Sequence, residues 1–260
     1  MKILFSSMFL YEYSTDMIAK AVEASEYDGV EFWVETPYFW IDRALEKLEC
    51  FSNMKLAFHA PVLDLNPVSV NNDLCELTLK ETLYTISLAS KTNAEIVTIH
   101  AGKRSAYREP VWADYNSLHK YLRRSSRFSS LKGVELCLEN SEQSINNLCK
   151  TAEELRKFAE FYDLSITFDI KHAMRNAEEF YSLLNRVRNV HVSNSDEKRR
   201  HVQASKNERV AKILRDLSEF GYDSLITVEL DDLGIGNMDF GKKVDILREE
   251  GDFIRRIFKK

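Results

Sequence analysis

Short apolar runs punctuate this chain, and the stretches between them carry a different rhythm. The runs lie near Lys2–Ser6, Gly29–Val34, Lys55–Ala60, Glu95–Ala101, Gly133–Glu139, Ser165–Ile170, Arg188–Ser193 and Leu225–Leu230. Their length and their β-branched and aromatic content predict eight strands. Between them, apolar residues recur at spacings of three and four, as over Asp73–Tyr84 and Thr151–Tyr162, which predicts amphipathic helices. Thr151 and Glu154 have capping-box spacing, and Asp239 is placed to cap a last helix running towards Phe258.

Strand–helix alternation of this kind predicts an α/β protein with a parallel sheet and helices outside it. Eight strands are the number that closes a (β/α)8 TIM barrel, and 260 residues is the size of one. The open doubly wound sheet is the rival, but it confines its site to one crevice. Here six of the runs end in a histidine, aspartate or glutamate. Side chains two apart in a strand share a face. Two positions before each such end stand Ala57, Thr98, Cys137, Thr167, Asn189 and Thr227, all small or polar. Between them stand Phe58, Ile99, Leu138, Phe168, Val190 and Val228. The pattern predicts an apolar outward face and an inward face with room for a pocket. Without a linker or low-complexity segment, residues 1–260 read as a single TIM-barrel domain.

Composition narrows the class. The chain is 44% hydrophobic and 30% charged, with a net charge of −5, which disfavours wholesale nucleic-acid wrapping. Cys50, Cys75, Cys137 and Cys149 form no C-x-x-C pair and read as reduced thiols of a cytoplasmic protein. The opening MKILFSSMFLYEYS has no small-residue cleavage site and reads as a first strand rather than a signal peptide. No apolar run approaches a membrane span.

The polar strand ends carry the chemistry. They are His59, His100, Glu139, Asp169 with His172 just beyond, His191 and Glu229; His201 follows in the next loop. A lone histidine in a strand is usually structural, and a lone carboxylate is usually a cap or a surface turn; Glu35 is left open on that ground. Three carboxylates on one half-buried rim repel one another and lose hydration, and a divalent cation removes both costs. Mixed nitrogen and oxygen donors without thiolate point to Zn2+ or Mn2+, with one site expected and a second open.

The segments FHAPVLDLNP, TIHAG, LEN, FDIKHA, VHVSNSD, RRHVQAS and VEL resemble, in order and spacing, the xylose-isomerase-like barrel superfamily. That group includes sugar and sugar-phosphate isomerases and epimerases, and the endonuclease IV family of abasic-site nucleases. The resemblance covers essentially the whole chain. It implies that Glu139, Asp169, His191 and Glu229 form the shared four-ligand metal set. It implies further that His59 and His100 join Glu139 around a second zinc, and that His172 and His201 correspond to ligands of a third. The nucleases carry an aspartate two positions before that last histidine and glycine soon after it. This chain carries Arg199 and Val-Gln-Ala-Ser, which puts the third metal in doubt.

Two chemistries share this centre. One is an isomerase or epimerase acting on a small sugar, polyol or sugar phosphate. There the resemblance makes Glu139 and Glu229 the acid/base pair, beside a cation that polarises the substrate. Trp33, His172 and Arg199 are the expected substrate contacts; Lys103, Arg104, Arg108, Lys198 and Arg200 are further loop cations able to hold phosphate. The other is an endonuclease IV-like zinc phosphodiesterase cleaving DNA at abasic sites. His59 and His100 support it, while the acidic net charge and the absence of a recognisable basic groove oppose it. Nucleic acid is a partner only under this second reading. A binding barrel without turnover is a third class. A homodimer is compatible with the resemblance, but no stretch of sequence marks its interface.

Overall fold

The computed structural model describes residues 1–232 and 239–259. Its long strands are β1 (Lys2–Ser6), β2 (Gly29–Trp33), β3 (Lys55–His59), β4 (Val97–His100), β5 (Leu136–Glu139), β6 (Ser165–Asp169), β7 (Val187–Val192) and β10 (Leu225–Val228). A two-stranded antiparallel hairpin, β8 (Asn194–Ser195) with β9 (His201–Val202), lies between the last two. The long strands form a closed barrel in the order β1-β10-β7-β6-β5-β4-β3-β2, the α/β barrel that the alternation predicts. Every apolar run becomes a strand. β4 and β5 start later than their runs, at Val97 and Leu136.

The chain divides into two compact units, one of Met1–Leu56 with Asn189–Lys260 and one of Ala57–Arg188. In the first, β1 pairs in parallel with β10 and with β2, setting Ser6 opposite Glu31, and β10 pairs with β7, setting Thr227 opposite His191. Helices α1 (Thr15–Ala24), α7 (Glu208–Glu219) and α8 (Phe240–Phe258) cover this unit. Each begins at a side-chain cap: Ser14, Asn207 and Asp239 accept the N–H groups of Met17, Arg209 with Val210, and Lys242. Phe5 meets Tyr27 edge-on at 5.3 Å, and the Tyr27 hydroxyl donates to the Leu247 carbonyl at 2.8 Å. Burying a side chain such as Phe5 stabilises by roughly 1.5–3 kcal/mol. Gly29 is required by contact: a Cβ there would lie 1.8 Å from the Lys55 carbonyl oxygen.

In the second unit, β4 pairs with β3, β5 pairs with β4, and β6 pairs with β5, all in parallel. The register places His100 opposite Glu139, and Glu139 opposite Thr167. Helices α3 (Asn72–Thr92), α4 (Trp112–Lys132) and α5 (Ala152–Tyr162) end on left-handed residues, Asn93, Gly133 and Asp163. The expected Thr151 cap forms, its hydroxyl accepting the Glu154 N–H at 3.2 Å. His119 sits exposed on α4, and Arg124 on the same helix pairs with Glu76 at 2.7 Å.

The strand faces follow the sequence pattern. Phe58, Ile99, Leu138, Phe168 and Val190 are fully buried, as are the small and polar residues one position before them. The inward polar groups satisfy one another: Thr98 meets Thr167 at 2.9 Å, and the Thr227 hydroxyl donates to Asn189 Oδ1 at 3.0 Å. Among the described residues, no helix is long and apolar enough to cross a membrane.

Candidate functional site

In the Ala57–Arg188 unit the ends of β3, β4 and β5 bring His59, His100 and Glu139 together. His59 Nε2 lies 3.1 Å from His100 Nε2, and Glu139 Oε2 lies 3.0 Å from the latter and 3.6 Å from the former. His59 turns its other nitrogen to the Ala60 carbonyl at 2.8 Å. A carbonyl only accepts, so Nδ1 carries a proton, and in the neutral ring the Nε2 lone pair would face the cluster. Two imidazole nitrogens and a buried carboxylate so arranged suit a cation or a shared proton.

The end of β6 adds to the same unit. Asp169 is fully buried. The Asn140 amide clamps its backbone, accepting the Asp169 N–H at 2.7 Å and donating to its carbonyl at 3.0 Å. Asp169 Oδ1 accepts the His172 N–H at 2.6 Å. The His172 ring presents Nδ1 to the Asn140 carbonyl at 2.8 Å and to Glu139 Oε1 at 3.3 Å. Burial pulls this imidazole's pKa down, but the neighbouring Asp169 and Glu139 carboxylates outweigh it and push it up to about 9. The largely buried Lys171 ammonium pairs with Glu142 at 2.5 Å, and Glu142 stands 4.0 Å from His172 Nε2. A cleft of about 250 Å3 opens beside His100 and His172, lined also by the apolar Pro61 and Leu65 and the polar Lys103, Glu142 and Asn147.

The unit of Met1–Leu56 with Asn189–Lys260 carries a second grouping. His191 is fully buried between two carboxylates: Nε2 lies 2.8 Å from Glu31 Oε2, and Nδ1 lies 3.2 Å from Glu229 Oε2. Glu31 also accepts from the Asn189 amide at 2.8 Å. His201 presents Nδ1 to Glu229 at 3.3 Å and to the Ser193 hydroxyl at 2.9 Å. Buried carboxylates and imidazoles of this kind can bind a metal. Trp33 is buried at the end of β2, its ring 6.3 Å from that of Tyr11. Tyr11 titrates above its usual range because burial, and then the Glu35 charge, disfavour the phenolate.

A sequence profile described as the xylose isomerase-like TIM barrel matches residues 18–257. The chain belongs to that family. Among characterised folds it resembles the crystal structure of a D-tagatose 3-epimerase-like protein, at 24% identity and a TM-score of 0.77 over 98% of this chain and 99% of the other. It also resembles an L-ribulose 3-epimerase structure, at 17% identity and a TM-score of 0.81 over 99% and 94%. An uncharacterized protein of Methanocaldococcus jannaschii, MJ1188, is 32% identical over 241 residues, covering 89% of each chain. The sugar-epimerase neighbours share the fold of this family member.

Within the family barrel, the expected ligands sort into the two groupings above: His59, His100, Glu139, Asp169 and His172 in one unit, His191, His201 and Glu229 in the other. Arg199 lies exposed in the turn of the β8–β9 hairpin with φ +60°. Asp196 builds that turn, accepting the Lys198 and Arg200 N–H groups at 2.9 Å each. Of the other loop cations, Lys103 borders the cleft, while Arg104 turns to Asp114 and the Glu109 carbonyl. Tyr38 and Trp40 lie under the cations of Lys47 and Arg43. Two residues escape sequence reasoning, Glu31 and Asn140. Each had a signal: a carboxylate in the middle of an apolar strand, and an amide directly after Glu139 in the LEN segment.

Proposed function

We propose that this protein is a divalent-metal-dependent isomerase or epimerase of a small sugar, polyol or sugar phosphate. The observation that carries the reading is His191, a buried imidazole flanked on both nitrogens by carboxylates, Glu31 and Glu229. With Nε2–H donated to Glu31, a neutral His191 would aim a lone pair towards an anionic oxygen, an arrangement that a cation stabilises. The donor set therefore fits the ion that the family implies. Glu139, Asp169, His191 and Glu229 would hold it. Zn2+ and Mn2+ suit these donors. Bound there, the ion supplies Lewis acidity towards a ketose carbonyl and the hydroxyl beside it.

The chain's own residues do the rest. Glu139 and Glu229 move the proton at the carbon next to the carbonyl, one as base and the other as acid. Asn140 holds the Asp169 backbone in place. The cleft beside His100 and His172 receives the remainder of the polyol, with Pro61 and Leu65 against its carbon skeleton and Lys103, Glu142 and Asn147 towards its hydroxyls. Trp33 and Arg199 are the further substrate contacts of this reading.

The second reading, a zinc phosphodiesterase, is favoured by one grouping, His59 and His100 against Glu139, which a one-metal epimerase does not need. The two separate in one experiment. Metal-loaded protein is incubated with a panel of ketoses and their phosphates in deuterated water, and in parallel with a duplex containing one abasic site. We expect deuterium at the epimerised carbon, one tightly bound ion per chain, a fall of at least roughly 100-fold in Glu229→Gln, and loss of bound metal in Glu139→Ala. Nicking of the duplex at substoichiometric protein, lost in Glu229→Gln, overturns the epimerase reading. Full metal retention in Glu139→Ala overturns the metal assignment.

A further inference from the structure

We infer that Glu31 is the positioning residue of the site: it fixes the tautomer of His191, so that Nε2 keeps the proton and Nδ1 is the nitrogen offered to a metal. The inference rests on the metal reading proposed above, but its geometry lies wholly within the Met1–Leu56 and Asn189–Lys260 unit.

A chain of hydrogen bonds sets the direction. Thr227 on β10 donates its hydroxyl to Asn189 Oδ1 at 3.0 Å. That contact orients the Asn189 amide, whose Nδ2 donates to Glu31 Oε2 at 2.8 Å. His191 Nε2 meets the same Glu31 oxygen at 2.8 Å. A carboxylate oxygen that accepts from an amide is an acceptor for the ring as well, so Nε2 carries hydrogen. The other ring nitrogen, Nδ1, faces Glu229 Oε2 at 3.2 Å. Neutral imidazole has one N–H, so with Nε2 protonated Nδ1 has the lone pair that a metal requires.

The register explains why this wiring is rigid. Thr227 lies opposite His191 in the β10–β7 pair, and Asn189 sits two residues before His191 on the same face of β7. Glu31, from β2, is fully buried, as are Asn189, His191 and Thr227. A carboxylate behind a histidine ligand both orients the ring and raises its basicity as a donor, and removing such a partner typically lowers metal affinity 10–100-fold. Glu31 touches no substrate in this account; it acts through His191.

The test uses the full chain, uniformly 15N-labelled, with zinc chloride as the probe. Long-range proton–nitrogen correlation spectra read the His191 ring first without metal, at a pH where the ring is neutral, and then with zinc. We expect a protonated Nε2 in both states and a zinc-shifted Nδ1 in the second. Glu31→Leu should lose the tautomer preference and weaken zinc binding by about 10–100-fold. Glu31→Gln, which keeps an acceptor oxygen, should keep the tautomer and lose less affinity. A proton on Nδ1 of the wild-type ring overturns the inference whether or not the leucine variant folds. So does a folded Glu31→Leu with wild-type tautomer and affinity. If wild-type protein takes up no zinc while its metal-free ring holds the proton on Nε2, the metal reading fails and the role of Glu31 in setting the tautomer stands.

Discussion

At the scale of single residues, the fold spends its buried carboxylates in different ways. Glu31 and Glu229 serve His191, whereas Glu250 on α8 serves the backbone. Fully buried, Glu250 accepts the N–H groups of Ala204 and Ser205 at 2.8 and 3.2 Å and the Ser205 hydroxyl at 2.6 Å. Burial raises its pKa and is the largest influence; the Ser205 and Ala204 donors pull the other way without cancelling it, and the Glu249 charge adds to the rise. Tyr27 nearby is likewise shifted upward, chiefly by its own burial. A carboxyl whose folded pKa is raised binds its proton more tightly in the folded state than in the unfolded chain. Its contribution is therefore fully present below the ordinary carboxylate range and is lost as pH rises through the folded value. Glu250→Gln should flatten that part of the stability profile, read as denaturant midpoint against pH. Glu250→Ala, which strands three donors, should cost about 1–3 kcal/mol, most at low pH where the contribution of Glu250 is fully present. An unchanged slope in the glutamine variant removes Glu250 as the source.

At the scale of elements, strands and helices were legible because their periods are local, while the loops that shape the site were not. β1 occupies the segment that its apolar run marks, Lys2–Ser6, and Thr151 and Asp239 cap the helices that their positions announce. The inward layer of Thr98, Thr167, Asn189 and Thr227 follows from alternation alone. Glu31 follows from the same alternation, two positions before the inward-facing Trp33, yet an acid inside an apolar strand reads as a surface residue until its partner is known. Loop contacts between sequence-distant side chains carry no period. Asn66 is such a case: its amide accepts the Lys103 N–H at 3.1 Å and the Val68 N–H at 3.2 Å, and donates to the Lys103 carbonyl at 2.7 Å. It thereby stitches the loop after β3 to the loop after β4, at the edge of the cleft. Gly102 completes the junction, with φ +82° and space only for hydrogen: a Cβ there would come within 2.6 Å of Asn66 Oδ1. Asn66→Ala should destabilise by roughly 1–3 kcal/mol and speed amide exchange at Lys103 and Val68. Wild-type protection at both would show that the loops hold without it.

At the scale of the whole molecule, the four proposed donors come from segments far apart in the chain. Glu139 and Asp169 belong to Ala57–Arg188, and His191 and Glu229 belong to the other unit, so a single ion held by all four would bind only where both are folded. Such a ligand stabilises by mass action: at a free concentration of 100 times its Kd it adds about 2.7 kcal/mol. For a chain of this size that corresponds to roughly 5–10 °C in Tm. The shape of the transition carries more information than its midpoint. If the donors come from both units, zinc should raise one cooperative transition followed equally by probes in each. Trp112 reports on the second unit in a protein whose Trp33 and Trp40 are replaced by phenylalanine; Trp33 reports on the first in one whose Trp40 and Trp112 are replaced. Glu139→Ala and Glu229→Ala should each abolish the shift for both reporters, although each mutation touches one unit. Zinc that moves only the Trp112 transition, and still does so in Glu229→Ala, would place the ion on His59, His100 and Glu139 alone. That outcome would leave the four-donor assignment without support, because Glu229 would then have no part in holding the ion.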